Sequence, residues 1–281
     1  MSLELRPARI AGSALTTSLA LLLASLGLAP ASAAACGPYK VALYEFGSLG
    51  YFDTQRQPQG VDKDVIDALA RRSACVLNTH VDSRARIWEQ LKQGSLDMTV
   101  SGVATPEREQ LAEFWPYLST RNYALMSRDT ARHLASFDDF LADPKLQLLV
   151  VRSFKHGQQI DAWIEQLRAQ KRVSEVGDFP TALKVLKAGR GDLLFAHPMV
   201  LEHWRGDAMK GLTMLDWAPG DSAIGSIVAS KTLVSAADRQ LLRRHLAAMV
   251  AEGEVERILS KHVVADMASR LRLRLPPGTQ P

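Results

Sequence analysis

Cysteine is scarce, with Cys36 and Cys75 the only two in 281 residues. A scaffold stapled by several disulfides is therefore excluded, and so is a multi-cysteine metal centre. No charge sign dominates: 34 lysines and arginines stand against 30 acids, a net +4 spread along the chain. Aromatic residues make up only 6%. No basic stripe carries interleaved aromatics, which removes the case for nucleic acid. After Leu28 no apolar run is long enough to span a bilayer. No short-period repeat or low-complexity linker divides the sequence, which argues against a solenoid.

What is present begins with an export pattern. Arg6 and Arg9 precede an apolar run from Ile10 to Leu28, then Pro30 and the small residues Ala31-Ser32-Ala33-Ala34-Ala35. Positive charge, apolar core and an A-x-A cleavage pattern are the three parts of a secretory signal. The alternative is an uncleaved anchor. The small-residue site behind a helix-breaking proline favours cleavage, so residues 1–35 are assigned to a signal peptide and the mature protein to the periplasm. In that oxidising compartment Cys36 and Cys75 read as a disulfide. Its loop of about forty residues is worth ~4 kcal/mol in the chain-entropy model. A lipidated Cys36 is the competing reading, but Ala33-Ala34-Ala35 lacks the usual leucine and Cys75 would be left over.

Strand and helix patterns then alternate, which predicts an α/β fold. Strands are expected at Lys40–Phe46, Val76–Val81 and Leu96–Ser101 in the first half. Those of the second half are Leu146–Val151, Val173–Val176, Asp192–Ala196 and Ile224–Ser230. Between them lie helices beginning near Gly60, with Asp62 as an N-cap candidate, and at Ile87–Gln93, Gln158–Gln170 and Thr181–Ala188. Two more follow at Ala236–Glu252 and Glu254–His262. The order implies two similar α/β units with ligand-facing loops at the strand ends, joined by crossing strands rather than a single flexible hinge.

Four segments carry a resemblance to a known family. They are Gly60-Val-Asp-Lys-Asp-Val65, the run from Leu91 through Gly94, Asp97, Ser101, Gly102 and Thr105-Pro-Glu-Arg108, Ala182 to Asp192, and Gly253-Glu-Val-Glu-Arg-Ile258. In this order they resemble the type II periplasmic solute-binding proteins, family 3, which mostly serve polar amino acid ABC transporters. The resemblance implies a two-lobed clamshell with no cofactor and no metal. Lobe 1 is expected at 36–120 and 223–268, lobe 2 at 121–222, and a flexible tail at 269–281. It also implies a monomer that captures an amino acid or organic acid and passes it to a transporter permease.

The same resemblance nominates the ligand contacts. Arg108 stands where the family's arginine holds a carboxylate, for which a planar guanidinium fork is well shaped. Ser101, Gly102 and Thr105 lie on its approach and would complete an anion nest, although this segment runs one residue shorter than the family's. Tyr51 and Phe52 occupy the loop where the family places aromatic rings, and Glu45 is positioned to receive an ammonium group. Arg84 falls where an aromatic usually sits, and a second arginine would favour a ligand with two anionic groups. Ser153 and Lys155, before the helix at Gln158, offer a further anion site. His197 replaces the family's aspartate for the α-ammonium, which weakens a plain amino-acid reading.

Other motifs carry little. Gly220-Asp-Ser222 lacks a positioned histidine and aspartate, and the two Arg-Gly-Asp tripeptides are short enough for chance. His197 and His203 are six apart and share no helix face, which argues against a metal. Two rivals stay open: a dehydratase of cyclohexadienyl acids on the same scaffold, drafting Glu45 or Glu202 as general acid, and a ligand sensor for a receptor.

Overall fold

The computed structural model describes Met1, residues 36–203 and residues 209–274. The expected signal peptide, the second Arg-Gly-Asp tripeptide and residues 275–281 lie outside the described residues, as does the side chain of Glu202. No helix of the described residues is long and apolar enough to cross a membrane.

The chain starts with β1 (Tyr39–Leu43), a small hairpin of β2 (Tyr51–Phe52) and β3 (Pro58–Gln59), and α1 (Val61–Ser73). It continues through β4 (Leu77–Val81), α2 (Arg84–Gln93), β5 (Met98–Gly102), α3 (Pro106–Leu111) and β6 (Ala112–Thr120). The second unit holds β7 (Tyr123–Ser127), α4 (Arg128–Ala131), α5 (Phe137–Ala142), β8 (Leu148–Val151), α6 (Gln158–Ala169) and β9 (Val173–Val176). It is completed by α7 (Phe179–Lys187), β10 (Leu193–Ala196), α8 (Pro198–His203) and β11 (Leu212–Leu215). The chain then returns through β12 (Ala223–Ser230) to α9 (Ala236–Ala251), α10 (Glu254–His262) and α11 (Ala265–Leu271).

These strands form two five-stranded sheets of the same plan. The first has the order β4-β1-β5-β12-β6 and the second β11-β7-β10-β8-β9. In each, three strands run parallel, as βαβ crossovers dictate, and two strands pair antiparallel. Each sheet with its helices is one lobe. The chain crosses between lobes twice, from β6 to β7 through Arg121-Asn122 and from β11 back to β12. The crossings are tied together: Arg121 pairs with Asp216 at 2.8 Å and donates to the Pro219 carbonyl at 3.0 Å.

One apolar cluster continues from the first lobe, through Val41, Leu69, Ile87 and Ile227, into Phe179, Leu183 and Leu186 on α7 of the second. A separate cluster fills the other face of the second sheet, where Phe137 stacks on Trp163 at 4.3 Å. Buried Arg172 closes that side by donating to the carbonyls of Phe140, Leu141, Asp143 and Leu146.

Three local expectations change. Asp62 is not the N-cap of α1. Gly60 takes that position with φ 122°, and a side chain there would strike the Leu49 carbonyl at 2.4 Å. The tail is partly held: α11 runs to Leu271, Arg272 bridges to Leu118, and the Arg274 N–H donates to Ser119 Oγ at 2.8 Å. Residues 112–127, unassigned from sequence, supply the crossing strands. Cys36 and Cys75 are bonded, with Cα atoms 4.6 Å apart. A double cysteine-to-serine variant is expected to lose ~4 kcal/mol in urea unfolding, which an unchanged midpoint would contradict.

Candidate functional site

The carboxyl ends of the parallel strands in both sheets face a single crevice, the position at which open α/β sheets hold ligands. Tyr44 and Glu45 follow β1, and Ser83 and Arg84 follow β4. From the second lobe come Phe154 after β8, and Gly177, Asp178 and Phe179 after β9. Together these residues line a cavity of ≈ 310 Å³ between the lobes, about the lower end of the 300–1,000 Å³ usual for small-molecule sites. A second space of ≈ 20 Å³, lined by Ser101, Asn122, Lys155 and His197, shares the walls Tyr44, Phe46 and Phe154. It has room for about one water.

Phe46 is the wedge between the lobes. Its ring meets Phe154 at 4.9 Å, Phe179 at 5.5 Å in T-shaped contact and His197 at 5.7 Å, all on the opposite lobe. Gly50 fixes the loop that presents it, because a side chain there would collide with the Tyr44 carbonyl at 2.3 Å.

Arg84, at the start of α2, is only 3% exposed. Its Nη2 donates to the Ser101 carbonyl at 3.0 Å, and its guanidinium lies over Tyr44 at 4.0 Å and Phe154 at 5.6 Å. Nε and Nη1 are buried without a hydrogen-bond partner. No carboxylate pairs with it among the described residues. The charge of buried Asp62 couples to it through space, but Asp62 makes no ion-pair contact with the guanidinium. A buried cation with unmet donors costs several kcal/mol, so fold stability alone does not explain it.

Arg108 sits at the interlobe boundary. It stacks over Trp88 at 3.7 Å and donates to Val103 O at 2.9 Å. Its Nη2 crosses to the second lobe and donates to Ser153 O at 2.8 Å. Burial and then the nearby Arg84 charge pull its pKa down to about 9. The guanidinium does not line the larger cavity, and backbone carbonyls occupy the fork expected to hold a carboxylate.

Asp62 shares Ser101 with Arg84 and is fully buried. Ser101 Oγ donates to both carboxylate oxygens at 2.9 Å, and the Tyr117 hydroxyl donates to one of them. Burial raises the Asp62 pKa to about 7 against the opposing pull of those hydroxyls and the Arg84 charge. Ser101 itself adopts φ 47°, a left-handed conformation costly for a side-chain-bearing residue. Burial likewise pushes the Tyr44 hydroxyl up to about 12.

The remaining expected contacts separate. Gly102 is required by packing, since a side chain would meet Val228 at 2.2 Å. Thr105 caps α3 by accepting the Arg108 N–H at 3.3 Å and faces neither cavity. Tyr51 packs on His203 at 4.6 Å and Phe52 lies beside Arg56, so neither ring lines the crevice. Tyr44, Phe46, Phe154 and Phe179 supply the aromatic walls instead.

The expected anion site before α6 is already filled from within. The Asp221 carboxylate accepts the Ile160 N–H at 2.9 Å, and Asp161 accepts the His156 N–H at 3.1 Å. Lys155 faces Asp161 at 3.8 Å, and Ser153 contributes a carbonyl, not a donor. His197 Nδ1 accepts the Met199 N–H at 3.2 Å, and burial drops its pKa to about 3. Nε2 therefore carries the hydrogen, buried without a partner, so His197 offers a donor where the family's aspartate would accept.

Sequence reasoning missed Phe154 and Asp178 in the cavity lining, and behind it Trp88, which stacks on Arg108, and the buried pair Asp62 and Tyr117 that holds Ser101. One signal was available, because Arg84 and Trp88 stand one helical turn apart on the same face of α2.

Solved structures share this fold. The chain is similar in structure to the solute receptor for L-cysteine of Neisseria gonorrhoeae, with TM-score 0.70, 17% identity, and coverage of 84% of this chain and 96% of that one. It is similar to an amino acid ABC transporter substrate-binding protein of Streptococcus pneumoniae bound to L-arginine, with TM-score 0.67, 16% identity and coverage of 82% and 95%. An ancestral amino acid-binding protein, a precursor of cyclohexadienyl dehydratase, matches with TM-score 0.64, 19% identity and coverage of 80% and 95%. None of the curated proteins searched matches in sequence. These likenesses establish the two-lobed fold. A family model matches residues 41–265, and the chain accordingly belongs to the bacterial extracellular solute-binding proteins, family 3.

Proposed function

We propose that the protein captures one small carboxylate-bearing solute between its lobes in the periplasm and delivers it to a membrane transporter without chemical turnover. The observation that carries this reading is Arg84: a buried cation with two unpartnered nitrogens lining an interlobe cavity of ≈ 310 Å³. A ligand carboxylate supplies the direct acceptor for those nitrogens that the fold does not. Contacts from both lobes favour the closed state over the open one, which is how binding drives closure. Similarity to receptors described for L-cysteine and L-arginine supports a ligand of amino-acid size.

Arg108 serves as the closing latch, through its hydrogen bond to Ser153 across the boundary. A charge-assisted hydrogen bond is worth about 1.5–3 kcal/mol, so Arg108→Ala is expected to weaken capture roughly tenfold to a hundredfold. Calorimetric titration with amino acids and organic acids checks this, alongside small-angle scattering for a ligand-induced decrease in radius of gyration. Failure of every compound to bind, or binding with no change in dimensions, removes the capture reading.

The dehydratase rival has one observation in its favour. Burial and then the neighbouring Asp178 raise the Glu45 pKa from its ordinary value, the direction that suits a general acid. Turnover of prephenate or arogenate by the purified protein would establish that rival.

A further inference from the structure

We propose that the interlobe cavity takes an ω-amino carboxylate, with its carboxylate on Arg84 and its distant cationic group between Glu45 and Asp178. This rests on the reading above that Arg84 receives a carboxylate.

The two ends of the cavity carry opposite charge. At the base, Arg84 is buried with Nε and Nη1 free of partners. At the rim, Glu45 comes from the loop after β1 and Asp178 from the start of α7 on the other lobe. Neither has an ion-pair partner among the described residues. Both carboxylates line the same cavity from opposite lobes, and Asp178 contributes to raising the Glu45 pKa, after burial, while Arg56 opposes it. Asp82, the remaining acid of the lining, is already engaged by the Ser83 N–H at 2.7 Å and by Arg86 at 3.4 Å.

Two carboxylates drawn together as the lobes close repel each other. A cation held between them turns that repulsion into a contact made only in the closed state, the condition for a ligand to drive closure. Between base and rim the walls are Tyr44, Phe46, Val81, Val151, Phe154 and Phe179, a surface suited to methylene groups.

Other arrangements of charge fit worse. An α-amino acid places its ammonium next to its carboxylate, close to Arg84, and the residue that would accept it, His197, presents a donor. A dicarboxylate sets its second anion against Glu45 and Asp178. Two cleft arginines suggested such a dianion from sequence, and the acidic rim reverses that preference.

The test uses 5-aminopentanoate, its isomer 2-aminopentanoate, and glutarate, each titrated calorimetrically into the purified protein. 5-Aminopentanoate is expected to bind about tenfold tighter or more than either of the others. In the Glu45→Gln/Asp178→Asn double variant the order of 5-aminopentanoate and glutarate is expected to reverse. The introduced asparagine retains the ability to cap α7, where Asp178 accepts the Thr181 N–H at 2.7 Å. The proposal is overturned if 5-aminopentanoate does not bind, if either competitor binds as tightly, or if the double variant leaves the order unchanged. Competitor binding that is lost in Arg84→Met would still uphold the carboxylate site, whereas binding indifferent to Arg84 would remove both readings.

Discussion

Asp62→Asn is expected to make stability climb by ~3 kcal/mol between pH 4 and 6.5, where in the wild type the contributions of buried Asp62 and His197 nearly cancel. Asp62 has an ordinary value of 3.8 and a folded one of about 7. Between these the unfolded chain is ionised and the folded one protonated, so folding takes up a proton. Stability contributed by Asp62 is complete below pH ~4 and is lost, by ~1.4 kcal/mol per unit, as pH rises toward 7. His197 has the opposite sign over the same window. Its value falls from 6.5 to about 3 on folding, so folding releases a proton and its contribution grows as pH rises to 6.5. In the wild type the slopes oppose one another, and removing the acid leaves the histidine's slope alone. The asparagine side chain keeps an acceptor for Tyr117 and Ser101, limiting structural cost. Urea unfolding at pH 4, 5 and 6.5 reads the difference, and a variant curve parallel to the wild type would show that Asp62 does not titrate as a buried acid.

Arg84→Met is expected to separate stability from binding. The ligand-free protein should gain about 1–4 kcal/mol, because a buried guanidinium with two unpartnered nitrogens is replaced by a flexible apolar chain against Tyr44 and Phe154. Affinity for the best carboxylate ligand should fall about a hundredfold or more, since a charge-assisted contact disappears and a bound anion is left buried without a cation. The Ser101 carbonyl loses its Arg84 donor, the shorter of its two side-chain contacts beside the 3.5 Å one from the Tyr44 hydroxyl, which tempers the gain. Thermal unfolding and calorimetry measure the two effects independently. A variant that is less stable and binds normally would make Arg84 a structural residue.

Much of the architecture was legible because it depends on local pattern. The strand at Val173–Val176 and the helix at Glu254–His262 fall at the expected residues, the first an apolar–polar alternation and the second an amphipathic repeat opened by Gly253. β6 was hidden for an equally local reason. Its sequence Ala-Glu-Phe-Trp-Pro-Tyr-Leu-Ser-Thr contains Pro116, which argues against a strand unless it lies at a sheet edge, and β6 does lie at the edge. The ligand contacts nominated by family resemblance dispersed for a different reason. Tyr51, Phe52 and Thr105 stand at suitable positions in sequence, but side-chain direction and lobe closure determine which rings and hydroxyls reach the crevice.

The amino-acid order by itself determined the alternation of strands and helices, the pairing of the only two cysteines, and the signature segments that identify the family. All of these are periodicities, counts or spacings within a few tens of residues. Tertiary structure alone decided that Arg84 is a buried cation with two unpartnered nitrogens, that Arg108 bridges the lobes, that Asp62 holds its proton near neutrality and that Glu45 and Asp178 line one cavity. Each of these depends on burial and electrostatics summed over groups far apart in the chain, such as Asp62 with Tyr117 or Glu45 with Asp178, and no local pattern encodes such a sum.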